Sequence, residues 1–163
     1  MAVFVPKKVY ESICDLTPET LRELGITTLF MDFDNTIVPY TSDVPTAEVD
    51  AWLDSMKNAG ITLCVVSNTK RGRAIEFCKK RGIRCVTHAR KPFPHGIQKG
   101  MELCGARKES TALVGDQIYT DILGANLAGI TSLLIRPLHL HNIWLQLRHV
   151  AEKPWIFLGR RKG

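Results

Sequence analysis

The chain has 163 residues, 45% of them hydrophobic and 23% charged. That length fits one compact domain, and the composition excludes a disordered or low-complexity protein. Twenty-two Lys and Arg against 16 Asp and Glu give a formal charge of +6, an excess that attracts phosphate esters, nucleic acid or acidic lipid headgroups without choosing among them.

In chain order, an apolar run at 27–31 predicts the first buried strand. The stretch 46–59 places Val49, Trp52, Leu53 and Met56 on one helical face and stops at Ala59-Gly60. A strand at 61–67, a helix at 71–81 and a strand at 84–87 follow, then the stiff turn Lys91-Pro92-Phe93-Pro94. The remainder predicts a helix at 96–103, a strand at 112–115, a helix at 119–128 and a strand at 131–135, with Gly82, Gly105 and Gly129 behind the helices. Repeated strand, helix, strand implies an α/β fold: a three-layer, Rossmann-like parallel sheet with helices on both faces. Ligands in such folds collect beyond the carboxyl ends of the strands.

Chemistry-bearing residues stand at those ends. Directly after the first strand comes Asp32-Phe33-Asp34-Asn35-Thr36. Two carboxylates one residue apart can converge on magnesium, the first through its side chain and the second through its backbone carbonyl. Asp32 is then a candidate nucleophile toward phosphorus, and Asp34 a candidate acid and base for the leaving oxygen and for water. Taken alone, the segment reads equally as a carboxylate-rich turn with Asn35 as a helix cap. After the second strand, Ser67 and Asn68 can donate to phosphate oxygens, although Ser-Asn by itself is merely a turn. After the third, Lys91 can stabilise transition-state charge, although a loop lysine by itself is usually solvated surface. After the fourth, Gly115-Asp116-Gln117 offers Asp116 as a further metal ligand, with Asp121 in support, the competing reading being a Gly-Asp turn that caps a helix.

These residues resemble the haloacid dehalogenase superfamily, whose motifs are an Asp-x-Asp-x-Thr loop, a Ser or Thr, a Lys, and a Gly-Asp followed by another acid. All four are present in order. The resemblance implies a HAD-like fold, Mg2+ as cofactor, and an aspartyl-phosphate mechanism with Thr36 and Asp121 as supporting residues. Asp34 favours phosphatase or phosphotransferase chemistry, because the dehalogenases of the superfamily generally lack that acid. Leu16-Thr17-Pro18, Leu24-Gly25-Ile26, Ala89-Arg90-Lys91-Pro92, and Gly124, Asn126, Gly129 and Pro137 around the last motif narrow the resemblance to the YqeG-type branch. That branch is similar to mitochondrial and plastid phosphatases acting on phosphatidylglycerophosphate.

Spacing bears on substrate. Residues 37–62 hold little beyond one helix, and 67–91 hold a helix and a strand, which leaves no room for a cap domain. An open, capless site (subclass III) suits a phosphate carried on something large: a lipid headgroup at a membrane, a protein, or a nucleic-acid end, with nucleic acid not required. A soluble nucleotide, sugar phosphate or phosphoprotein is the alternative substrate. A non-catalytic anion- or membrane-binding protein is the alternative of another class, and its mark would be a missing nucleophile or lysine.

In the tail, Leu140, Ile143, Trp144 and Leu147 recur at helical spacing within 139–150, and Trp155-Ile156-Phe157-Leu158 precedes Arg160-Arg161-Lys162. This composition fits either a final packed helix or an interfacial segment beside acidic lipid. His88, near Lys91, is placed to touch substrate, although a lone loop histidine is more often structural or solvated. Cys14, Cys64, Cys78, Cys85 and Cys104 lack any Cys-x-x-Cys spacing, which points to reduced thiols rather than disulfides or zinc. No apolar run reaches the roughly 20 residues that span a bilayer, so the expected location is cytoplasmic, with peripheral membrane contact allowed.

Overall fold

The computed structural model describes residues 2–69, 72–138 and 154–157. Six parallel strands, β1 (Lys8–Tyr10), β2 (Thr28–Met31), β3 (Thr62–Val66), β4 (Arg84–Val86), β5 (Thr111–Gly115) and β6 (Thr131–Ile135), form one sheet in the order β1-β6-β5-β2-β3-β4. Between them run α1 (Pro18–Glu23), α2 (Ala47–Asn58), α3 (Gly72–Arg81), α4 (His95–Cys104) and α5 (Leu123–Ala128).

Strand alternation sends side chains to two separate cores. Leu29, Met31, Leu63, Val65, Ala112 and Val114 meet α1, α2 and α3 on one face. Phe30, Cys64, Val66 and Leu113 meet α4 and α5 on the other. The result is the expected three-layer arrangement. The helix α2 shows how the sequence secures it: the Thr46 hydroxyl accepts from the Val49 amide, Glu48 and Asp50 sit in the first turn, and Lys57 sits in the last. Its buried stripe is Val49, Trp52, Leu53 and Met56, each side chain contributing about 1.5–3 kcal/mol by leaving water. Trp52 Nε1 also donates to the Leu16 carbonyl at 2.6 Å, joining α2 to the chain ahead of α1.

Both β3 and β5 pair with β2, so chain order reverses there. The crevice at this switch point receives the loops that follow β2, β3, β4 and β5.

Several elements go beyond the sequence reading. The edge strand β1 has three half-buried residues and no apolar run, and it exists through pairing with β6. The helix α1 carries a Thr17 cap and Pro18 at its start, but its six residues are too few for a periodic pattern. The expected helix at 119–128 is instead a π-helical turn, Ile118–Ile122, leading into α5. Residues 139–153 lie outside the described residues, and with them the proposed amphipathic stretch at 139–150. Trp155 and Ile156 pack on Ile118, Ile122 and Leu134, and the Trp155 ring lies 5.5 Å from that of Phe4, whereas Phe157 is exposed. No described helix is long and apolar enough to cross a membrane, and all five cysteines are free.

Candidate active site

The site starts with the first loop. The Asp32 amide donates to the Val114 carbonyl at 3.0 Å, extending β2–β5 pairing one residue beyond the strand and fixing Asp32 above the switch point. The chain then turns back: the Asn35 amide donates to the Val38 carbonyl at 2.7 Å, with Asn35 at φ 60, a left-handed conformation that asparagine tolerates better than most side chains. Thr36 is fully buried behind this turn, and its hydroxyl has no hydrogen-bond partner among the described residues.

Lys91 comes from the loop after β4 and is buried, as are Asp32, Asp116 and Asp121. Its Nζ lies 2.8 Å from Asp32 Oδ1 and 2.7 Å from Asp121 Oδ1. Burial works against the ammonium, but the charges of Asp121 and Asp32 outweigh it and hold the Lys91 pKa above its ordinary value. Burial pushes the Asp121 carboxyl up to about 6, against the opposing pull of Lys91 and with repulsion from Asp32. Asp121 Oδ2 also accepts from the Gln117 amide at 3.1 Å.

The Asn68 side chain brackets the Lys91 backbone, accepting from its amide at 2.7 Å and donating to its carbonyl at 2.9 Å. In this arrangement the Asn68 amide positions the lysine. Ser67 is buried, and its carbonyl accepts from the Ala89 amide at 3.0 Å. These contacts tie the loop after β3 to the loop after β4. A cavity of about 60 Å³ remains between the loops, lined by Asp32, Asp34, Ser67, Lys91 and Asp121 together with Tyr40. At ~30 Å³ per water, that is the volume of about two waters.

The carboxylate oxygens of Asp32, Asp116 and Asp121 lie within 4.8 Å of one another. Three buried carboxylates lie together here and the Lys91 ammonium pairs with two of them, an excess of acid that low-dielectric surroundings tolerate only with a proton or a further cation. Hard oxygen donors in this number suit magnesium. The Asp34 side chain points elsewhere, to Arg73.

Arg73 escaped the sequence reading, because an arginine in a helix's first turn carries no local sign of function. It stands at the start of α3 with its side chain only 11% exposed, pairs with both Asp34 and Asp43, and donates to the Ser42 carbonyl at 2.9 Å. Its guanidinium lies 5.2 Å from the Phe33 ring centroid, and burial lowers its pKa. Tyr40 likewise had no signal, coming from a segment that the sequence marked only as a connection.

The family model for haloacid dehalogenase-like hydrolases matches residues 7–129. The chain belongs to that family. Its residues 7–129 contain every element that surrounds the cavity, so the match covers the site as well as the fold. The protein "Probable phosphatase YqeG" of Bacillus subtilis (strain 168) is 32% identical over 134 residues, which is 82% of this chain and 78% of that protein. Together these make the chain a hydrolase of the phosphatase type.

Solved structures agree on the fold. The cobalt-bound deoxy-D-mannose-octulosonate 8-phosphate phosphatase of Haemophilus influenzae superposes with a TM-score of 0.55 at 14% identity, covering 69% of each chain. A putative HAD-hydrolase, YfnB, from Bacillus subtilis bound to magnesium gives a TM-score of 0.51 at 13% identity, covering 77% of this chain and 98% of that one.

Proposed function

We propose that this haloacid dehalogenase-like hydrolase is a magnesium-dependent phosphomonoesterase working through an aspartyl-phosphate on Asp32. The observation that carries the reading is the buried cluster of Asp32, Lys91, Asp116 and Asp121, of which Asp32, Lys91 and Asp121 line the small cavity between the loops. Asp32, Asp116 and the backbone carbonyl of Asp34 would hold Mg2+, with Asp121 steadying Lys91. Bound there, the ion would neutralise phosphate charge that otherwise repels a carboxylate nucleophile.

In the first step an Asp32 carboxylate oxygen attacks phosphorus, the bond to the leaving oxygen breaks, and Asp34 gives that oxygen a proton. In the second, Asp34 takes a proton from water, the water oxygen attacks phosphorus, and the bond to Asp32 breaks, returning the carboxylate and releasing phosphate. Ser67 and Lys91 donate to the phosphoryl oxygens throughout. Arg73 holds the Asp34 carboxyl at the cavity that it lines.

Little more than one helix separates the first loop from β3, and one helix with one short strand separates Ser67 from Lys91. This supports an open site of the capless subclass and a substrate whose phosphate is presented on a larger body. By resemblance to the YqeG-type branch, the preferred substrate is phosphatidylglycerophosphate, met at a membrane surface from the cytoplasmic side. A soluble phosphate ester is the alternative.

The test is phosphate release from phosphatidylglycerophosphate in mixed micelles and from a soluble aryl phosphate, with and without magnesium, for wild type and Asp32→Asn. Magnesium-dependent release that favours the lipid and vanishes in the variant supports both chemistry and substrate. Release from the aryl phosphate alone discards the lipid, and no release from any ester returns the chain to an anion-binding role.

A further inference from the structure

On the outer side of the Lys91 loop lies a second concavity, of about 350 Å³, lined by His88, Arg90, His95 and Lys99 with Val86, Thr87 and Gly96. Every side chain there that can carry charge is basic, and no acidic side chain lines it. The local fold creates this convergence. Gly96, in the first turn of α4, sits so close to Ala89 that any Cβ would collide with the Ala89 backbone. Ala89 is therefore pinned inward, while its neighbours His88 and Arg90, both in left-handed conformation at φ 53 and φ 56, remain exposed. His95 and Lys99, four residues apart on α4, share one helical face.

The positive charges of Arg90 and Lys99 in one concavity raise the local potential, the two imidazoles add hydrogen-bonding nitrogens, and an anion seated there would offset the charge. The position relative to the catalytic cavity limits which anion. Arg90 lines the outer concavity and Lys91 the inner one, and adjacent Cα atoms are about 3.8 Å apart. The His88 amide also donates at 3.3 Å to the carbonyl of Thr69, a residue of the catalytic cavity. The two concavities are thus built on one loop, and a molecule with two anionic groups that spans the loop would meet Lys91 with one and Arg90 with the other.

We propose that the cleft formed by His88, Arg90, His95 and Lys99 binds a second phosphate of the substrate, a phosphodiester or further monoester, while the terminal phosphomonoester reacts at Asp32. This rests on the phosphatase reading given above. Phe93, on the same loop between Lys91 and His95, is 69% exposed. An exposed apolar ring on the loop that carries Arg90 fits an amphiphile whose headgroup carries both phosphates, so the lipid form is the favoured source of this chemistry.

The experiment compares full-length wild type with Arg90→Asn and Lys99→Gln on three substrates. These are an aryl monophosphate, a soluble glycerol derivative carrying a terminal monoester and an internal phosphodiester, and its diacyl form in mixed micelles. Asparagine suits the positive φ at position 90, and position 99 is exposed on α4. Each variant is expected to raise KM for both diphosphorylated substrates about fivefold, the worth of one partly solvated charge contact, and to leave kcat/KM for the aryl phosphate unchanged. Phe93→Ser is expected to weaken only the micellar substrate; equal loss on the soluble one would remove the lipid source and keep the shared chemistry. Unchanged KM values, or equal losses on the aryl phosphate, overturn the cleft assignment while leaving the phosphatase intact. Wild-type protein inactive on all three substrates with magnesium overturns the phosphatase reading, and the cleft proposal with it.

Discussion

Arg73, in the first turn of α3, pairs with the carboxylate of Asp34 and through its other nitrogen with Asp43 and the Ser42 carbonyl. One guanidinium thereby joins the proposed proton-transfer residue to the segment that carries Tyr40 over the cavity.

Removing that connection while keeping an apolar stem, as in Arg73→Met, should lower kcat for alkyl phosphates by about tenfold, a fraction of what general acid–base catalysis supplies. Aryl phosphates, whose leaving groups need little protonation, should be affected much less. Parallel kcat measurements on the two substrate types check this. Equal losses on both would assign Arg73 a structural role only.

Lys91 is the ammonium between Asp32 and Asp121. Lys91→Met should abolish turnover and destabilise the metal-free protein by about 3–5 kcal/mol, the usual effect of stranding a buried opposite charge. Magnesium should raise the melting temperature more in the variant than in wild type, because the ion then supplies missing positive charge. Thermal unfolding with and without magnesium reads both effects.

If Asp116 is a ligand, Asp116→Asn should weaken magnesium binding by at least about tenfold, since even partners beyond the direct ligands matter on that scale. Calorimetric titration of magnesium into the two proteins gives the comparison. Equal affinities would remove Asp116 from the metal site.

Asp121 provides a pH signature. Its folded pKa is raised, from 3.8 to about 6, so the folded state holds a proton that the unfolded state has released across that window. The metal-free protein should therefore lose stability as pH rises through roughly 4 to 6. Asp121→Asn should remove that slope, and magnesium should flatten it. Denaturant midpoints across the window test the sign.

Gly96→Ala tests the seat of the Lys91 loop without touching a charged group. Its Cβ would strike the Ala89 carbonyl oxygen and Cα, which are backbone and cannot rotate away. A stability loss of about 1–3 kcal/mol is expected from such overpacking, with reduced turnover as the loop shifts. Unfolding curves and phosphate release measured together would show both.

Much of this protein was written locally. Apolar runs bounded by glycine and polar residues announced the central strands, and Asp32, Ser67, Lys91 and Asp116 were legible because each directly follows or closely trails one of them. The α2 helix was readable from its apolar spacing, with Thr46 and Ala59 as the caps of the observed helix. What tertiary structure decided was every relation between segments distant in sequence. The strand β1 needed β6 as its partner, and α1 was too short to show a period. Asp121 needed Lys91 beside it to become part of the charged centre, and the Asn68 amide turned out to brace the Lys91 backbone. The Arg73–Asp34 pair and the convergence of His88, Arg90, His95 and Lys99 had no sequence signal as groupings, because an isolated basic residue looks like solvated surface until the fold sets it against a carboxylate or three other basic side chains. Periodicity and strand-end position travel along the chain and can be read from it, whereas charge pairing depends on through-space distance, which only the folded sheet and its loops fix.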